Sequence, residues 1–254
     1  VMLSSGDRLG KLFKFVFIII IIAVLALAVA PLNLYYDHVK QQLKPVALSG
    51  ISGSAVKGAA DSLTFRSAPL GRAEWLLYPN SLNGIGGKVR VSESNYDMTF
   101  ELKKVTAESQ SFKKVTGFIN WALIKPFLQI QFGQLDGYAQ VNMNQVEFNS
   151  NGGLDRIEGE VTLRDFMLTQ PRQLDLGTVT LTLSTQKPGI IVGNFTSQSQ
   201  AMNVSGALYI QPRRWQLKLD IIPKAGFYEL DAVLNSVGDA RRGGGRVLNL
   251  AGFY

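Results

Sequence analysis

The sequence predicts a mainly β protein: one N-terminal transmembrane helix, then a curved, mostly antiparallel β-sheet domain with one or two short helices. Three observations point there. Phe15 to Leu32 reads FVFIIIIIAVLALAVAPL, eighteen residues without a charged or hydrogen-bonding side chain. From Ser49 onward the apolar residues recur with a period of two, the spacing that puts alternate side chains on one face of a strand. Helical spacing is confined to two short stretches.

The apolar run comes first. At ~1.5 Å of rise per residue, eighteen helical residues cover ~27 Å, close to a hydrocarbon core of ~30 Å. Leu12, Phe13 and Leu34 extend it, so the predicted span is 12–34, after a head of residues 1–11 and before a juxtamembrane linker, 35–47. A helix suits this run because in lipid every backbone N–H and C=O must be satisfied within the segment. Arg8, Lys11 and Lys14 precede it, whereas Tyr35, Tyr36 and Asp37 follow. The basic bias keeps the N-terminus in the cytoplasm and exports the rest, and the two tyrosines suit the exit interface.

A cleaved signal peptide is the competing reading, and Ala28-Val29-Ala30 has the form of a cleavage site. Two features weigh against it. The run exceeds the usual ~7–15 apolar residues, and Pro31 would follow the cut directly. The expectation is a retained anchor, with the mature chain beginning at or near Met2.

The exported part, 48–254, is predicted as one β-rich domain. Gly50, Gly53 and Gly58 stand at its start, where positive φ or a close backbone approach is expected. Ala73, Trp75 and Leu77 alternate with polar or outward residues until Pro79 stops the strand, and the Trp75 indole is expected to cap the apolar face with its N–H at the rim. Val89 and Val91, a Ser-Glu-Ser-Asn link, then Met98, Phe100 and Leu102 read as a hairpin. Ile157 to Leu163 and Val179 to Leu183 alternate in the same way. A second hairpin joins Met202, Val204, Leu208 and Ile210 to Trp215, Leu217, Leu219 and Ile221 through Gln211–Arg214. Between Met143 and Val146 the apolar frame changes from odd to even positions, which predicts a bulge and hence a bent sheet.

Leu230, Val233, Leu234 and Val237 have i, i+3, i+4, i+7 spacing ended by Gly238, and Val115, Phe118, Ile119 and Ala122 have it before Pro126. Each predicts a short helix. Val247 to Tyr254 returns to extended character.

Composition narrows the chemistry. The 254 residues carry a formal charge of +7, of which Arg8, Lys11 and Lys14 against Asp7 supply two, and the mild remainder is not a nucleic-acid footprint. The basic cluster Asp239–Arg246 contains Gly243-Gly244-Gly245 and reads as a solvated loop, or else as a contact for phosphate, anionic lipid or an acidic partner. There is no cysteine, so thiolate nucleophiles and cysteine-based metal sites are excluded. The single histidine, His38, lies just beyond the predicted anchor, and no G-x-S-x-G elbow accompanies it. Asp155, Glu158, Glu160 and Asp165 form the densest acidic group, but Glu158 and Glu160 share the polar face of one strand with Thr162 and Arg164 and do not confront each other across a cleft. Gly84-Ile85-Gly86-Gly87 matches neither phosphate-binding fingerprint and reads as a loop. Asn194-Phe195-Thr196 and Asn203-Val204-Ser205 match glycosylation sequons, a motif short enough to arise by chance. No catalytic, cofactor or metal site is expected.

After the anchor come Leu48-Ser49-Gly50-Ile51-Ser52-Gly53-Ser54-Ala55-Val56-Lys57-Gly58-Ala59-Ala60 and Leu70-Gly71-Arg72-Ala73-Glu74-Trp75-Leu76-Leu77-Tyr78-Pro79. Further on stand Leu176-Gly177 with its Val-Thr-Leu run, the Trp215 hairpin ending at Pro223, the Leu230–Gly238 segment and Leu248-Asn249-Leu250-Ala251-Gly252. In this order they resemble protein N of the bacterial type II secretion system, along most of the chain. Residues 112–134 show no clear correspondence.

The resemblance implies a non-enzymatic, single-pass inner-membrane component of a machine that exports folded proteins from the periplasm across the outer membrane. Its periplasmic sheet would contact other inner-membrane subunits or the secretin, and exposed strand edges offer a route. An alternative stays open. A single anchor followed by glycine-bounded strands with one apolar face is also the pattern of AsmA-like periplasmic β-groove proteins, in which an uncovered apolar face would bind or transfer lipid.

Overall fold

The computed structural model describes residues 30–41, 44–65, 68–79, 84–105, 109–128, 134–150, 153–170, 173–227, 230, 234 and 238–253. Residues 12–29 of the expected membrane span lie outside them. Among the described residues no helix is long and apolar enough to cross a membrane. The last residues of that span depart from a continuous helix: Pro31 pairs with Ser54 as an isolated β-bridge, and Leu32–Leu34 form a 3₁₀ turn in which Leu32 is buried. Proline explains the break, because its ring disfavours a helical conformation in the residue before it. The chain divides after Tyr78 into two compact units.

In the first unit, helix α1 (Tyr36–Val39) occupies the segment read as a linker. It is fastened to strand β1 (Val46–Gly53), whose Leu48 N–H donates to the Tyr36 hydroxyl at 2.7 Å. Strand β2 (Lys57–Phe65) returns antiparallel with Gly53 opposite Gly58 and Val46 opposite Phe65. The two-residue β3 (Ala68–Pro69) pairs with the end of β2, and β4 (Arg72–Pro79) pairs with its beginning. Ala60 and Ala73 face each other in that ladder and are both buried. Gly50 and Gly53 have φ of +63° and +80°, the left-handed conformations expected of them, and a β-carbon on Gly53 would stand 2.5 Å from the Lys57 carbonyl oxygen.

The second unit is an antiparallel meander. Its strands are β5 (Ile85–Glu93), β6 (Tyr96–Val105), β7 (Ser109–Asn120), β8 (Gln134–Asn149), β9 (Leu154–Gln170), β10 (Leu174–Lys187), β11 (Ile190–Gln198), β12 (Met202–Gln211) and β13 (Arg214–Pro223). Each pairs with the next, and β15 (Arg246–Phe253) then lies beside β13 with the two-residue β14 (Asp239–Ala240) outside it.

Both expected hairpins form. Val89 faces Phe100 and Val91 faces Met98 across β5 and β6, while Ile210 faces Trp215 and Val204 faces Ile221 across β12 and β13. The register of β8 against β9 shifts between Met143 and Gln145, where the change of apolar frame places a bulge.

Two sequence readings need correction. Val115, Phe118 and Ile119 lie in β7, not in a helix: their backbone groups pair with β6 and β8, and that ladder outweighs a short helical spacing. Helix α2 starts at Trp121 and runs through Pro126 to Leu128, with Asn120 capping it by accepting the Ala122 N–H at 2.9 Å. Gly86 and Gly87 are not loop residues either but the buried start of β5, with Gly87 opposite Leu102. Of the helix expected at 230–238, only Leu230, Leu234 and Gly238 are described; both leucines are helical and buried.

One face of the second unit carries the core. Trp121, Phe166, Leu168, Leu176, Val179, Met202, Val204, Leu230, Leu234 and Leu248 form its main cluster, and Val141, Met143, Leu183 and Ile191 form a second one.

Candidate functional site

The polar groups singled out in the sequence do not assemble into a reaction centre. His38 is exposed on α1. Glu158 and Glu160 project from β9 on its polar side, where Arg156 lies 3.6 Å from Glu158 and 3.7 Å from Glu147, and Thr162 meets Thr180 hydroxyl to hydroxyl at 3.4 Å. Asp165 is exposed, and Asp155 is half-buried. Among the described residues no three His, Cys, Asp or Glu side chains come together as a metal site. Arg241 to Gly245 form a tight turn closed by backbone hydrogen bonds, with Arg241 paired to Asp220 at 3.2 Å. Asn194 and Asn203 are exposed on β11 and β12.

What the structure offers instead is surface of two kinds. The first is a strand edge. From Leu248 to Phe253, β15 pairs with β13 on one side and meets no strand on the other among the described residues, because β14 covers only Arg246 and Val247. Register sets Arg214 opposite Phe253 and Gln216 opposite both Tyr209 and Ala251, so these side chains share one face. Phe253 is 88% exposed and Tyr209 46%. Together with Trp215 they border a shallow depression at the end of the sheet. Edge β1 in the first unit is different: the Tyr36 hydroxyl already takes up its Leu48 N–H. A sheet edge blunted by a covering segment is a poor template for another chain, and a bare one is a good template.

The second is a cavity of about 390 Å³ on the apolar face of the second unit. Strands from β8 to β13 and β15 form its floor, while Trp121 and Ile124 of α2 and the leucines at 230 and 234 close over it. Among the described residues its lining is wholly aliphatic and aromatic, with no charged side chain. The Trp121 indole leans on Phe166 at 5.1 Å between ring centroids, and its N–H is buried without a hydrogen-bond partner among the described residues. A buried, unpaired donor normally finds a partner. Trp121 escaped the sequence reading, although Asn120 before an apolar run is a legible cap.

The family model for protein N of the type II secretion system matches residues 44–249. The chain belongs to that family. No curated protein and no solved structure matches it.

Membership makes the protein a component of the type II secretion system and implies association with other secretion subunits. The matched span runs from just before β1 to the middle of β15, so it takes in both the meander and the elements that enclose the cavity. It also covers 112–134, the stretch without clear correspondence in the sequence; β7 and α2 occupy its described part, and β7 lies between β6 and β8. Trp75, quoted in the family-like Leu70–Pro79 segment, donates its indole N–H to the Ser54 carbonyl at 3.1 Å, as expected of a ring that caps the face with its polar end at the rim.

Proposed function

We propose that this protein N family member is a non-enzymatic docking subunit, held at the bacterial inner membrane by the apolar residues 12–29, with its β-rich part in the periplasm. The observation that carries this reading is the family match over 44–249. The anchor's apolar length and the basic residues before it support the placement and direction.

The contact itself is made at the β15 edge. A partner strand added there gains main-chain hydrogen bonds, which supply affinity, and exposed aromatics beside them supply specificity. Phe253 and Tyr209 provide such contacts, and aromatic residues are enriched at the centres of protein interfaces. The partner is another secretion subunit, of the inner-membrane platform or the periplasmic part of the secretin.

A photo-crosslinking residue at Phe253 in cells that assemble the system tests the contact. The expected product is an adduct with a secretion subunit, absent when the crosslinker stands at an exposed position of α1. Adducts of equal yield from both positions would remove the β15 edge from the proposal. Alkaline carbonate extraction tests the anchor separately: retention in the membrane pellet is expected, and release would overturn it.

A further inference from the structure

The β15 edge recognises main chain, and the side chains beside it recognise charge. Strands β12, β13 and β15 contain a single acidic residue, Asp220, and Arg241 already holds it at 3.2 Å. The bases are left over. Arg213 in the turn after β12, and Arg214 and Lys218 on β13, are exposed and form no ion pair among the described residues. The Arg214 Nε donates to the Gln211 side-chain oxygen at 2.5 Å, so its two terminal nitrogens remain to meet an acceptor.

Register decides where that charge is met. Successive side chains alternate between the two faces of a strand. Arg214 stands opposite Phe253 and Lys218 opposite Asn249, so both project on the face that carries Phe253 and Tyr209, one strand in from the edge. On the other face of β15, Leu248 is buried and Leu250 packs half-buried against the main cluster. Gly238 and β14 cover the edge as far as Val247 and no farther among the described residues. A strand added there would turn one face to two cations four residues apart and the other to the apolar side of the sheet.

The reach is adequate. Neighbouring strands lie ~4.8 Å apart, so an added strand stands ~10 Å from β13, a gap that an arginine and a glutamate extended toward each other span. A depression of about 580 Å³, bordered by Tyr209 and Phe253 and lined by Gln211, Arg214 and Gln216, receives the carboxylate. A phosphate or an anionic lipid would meet the guanidinium and leave the strand edge unmet, whereas a basic segment would meet the edge and be repelled by the charges.

From the bare edge and the unpaired cations together, we infer that β15 docks an acidic extended segment of its partner. The segment runs antiparallel to β15, as both present neighbours of β15 do, with one carboxylate opposite Phe253, a second opposite Asn249, and apolar side chains opposite Leu248 and Leu250. This rests on the docking reading and specifies the chemistry of the docked strand.

The test starts from the adduct trapped by an aromatic photo-crosslinking residue at Phe253 in cells that assemble the system. The partner peptide in that adduct is sequenced by mass spectrometry. It is expected to hold two acidic residues four positions apart. Arg214→Glu combined with Lys218→Glu should lower the adduct yield about tenfold, the joint effect of two exposed pairs, at unchanged melting temperature. Lysines in place of the two partner acids should restore the yield in that charge-reversed variant, which a merely structural role of Arg214 and Lys218 would not produce. A partner peptide without the acid pair, a yield indifferent to charge reversal, or one that the lysines fail to restore overturns the acidic assignment and leaves the docking reading standing. Absence of any adduct overturns both.

Discussion

A methyl group placed on Gly58 would stand 2.6 Å from Cζ2 of Trp75. The two residues face each other across β2 and β4, and the indole lies over the bare α-carbon while its N–H reaches the Ser54 carbonyl. The ring is therefore pinned at both ends, by a missing side chain below and a hydrogen bond at the rim. Gly58→Ala forces the ring off its position and should destabilise the first unit by about 1–3 kcal/mol, the usual cost of overpacking. The melting transition and near-ultraviolet circular dichroism report it. The same β-carbon would stand 2.7 Å from the Ser52 carbonyl oxygen and 2.9 Å from that of Ser54, so combining Gly58→Ala with Trp75→Leu should recover only the part of the loss that the ring causes. Full additivity would mean that the glycine serves only its own backbone.

Arg90 and Asp97 form a two-point pair across β5 and β6, with Nε donating to Oδ1 at 2.8 Å and the second guanidinium nitrogen to Oδ2. The hydrogen bonds from Arg90, and then its charge, hold the Asp97 carboxyl below the ordinary value of about 3.9. A depressed carboxylate contributes stability that is present above the unfolded-state value and is lost as pH falls through the folded-state one. The melting-temperature difference between the wild type and Asp97→Asn should thus be constant from neutral pH to about pH 5 and should vanish below the carboxylate range. The pair is partly exposed, so the difference should be small and should shrink in high salt. A difference that grew on acidification would reverse the assignment.

Tyr96 presents the opposite case. Its hydroxyl is buried without a partner among the described residues, and burial, with Glu93 nearby, pushes the phenol above its ordinary value, so it stays protonated. Removing an unsatisfied polar group is favourable where removing a satisfied one is not. Tyr96→Phe should stabilise the protein by about 1 kcal/mol, or about 2–4 °C for a unit of this size. A loss of stability would show that the hydroxyl has a partner in solution.

Period-two alternation made the strands legible, because each strand of the meander buries one face, and it located both hairpins and the Met143 bulge. Helices were harder to read. Val115, Phe118 and Ile119 satisfy helical spacing by accident, since Gly117 stands on the apolar face of the strand and Phe118 on its exposed face, which hides the alternation of Val115 and Ile119 with Thr116. The cavity was beyond reach for another reason: its lining comes from seven strands distant in sequence, and Leu135 of β8 and Leu248 of β15 belong to it together although five strands lie between theirs. What the sequence did contain was Asn120 before Trp121, a local capping signal that marked the start of the lid.

Ile191 is fully buried, in the cluster of Val141, Met143 and Leu183 and away from the open cavity. Truncation there leaves a hole with packed walls. Ile191→Ala should cost about 2–5 kcal/mol and Ile191→Val about 0.5–1.5 kcal/mol. Denaturant midpoints at unchanged slope check both values. A cost for alanine no greater than that for valine would mean that the cluster collapses to fill the gap.

Asn120 connects the fold to the cavity. Its side chain accepts the Ala122 N–H at 2.9 Å, so it satisfies one of the donors left over at the start of α2, the helix that lays Trp121 and Ile124 over the apolar face. Asn120→Ala should destabilise by about 0.5–2 kcal/mol. The loss should be local before it is global: amide exchange should accelerate in 121–125 by roughly tenfold for each 1.4 kcal/mol, while the amides of β9 and β10 keep their protection. Asn120→Asp should restore most of it, because aspartate caps as well as asparagine and adds a favourable charge at a helix N-terminus. Equal acceleration across α2 and the strands would assign Asn120 to the β7–β8 ladder, where it lies opposite Tyr138, and leave the lid uncapped.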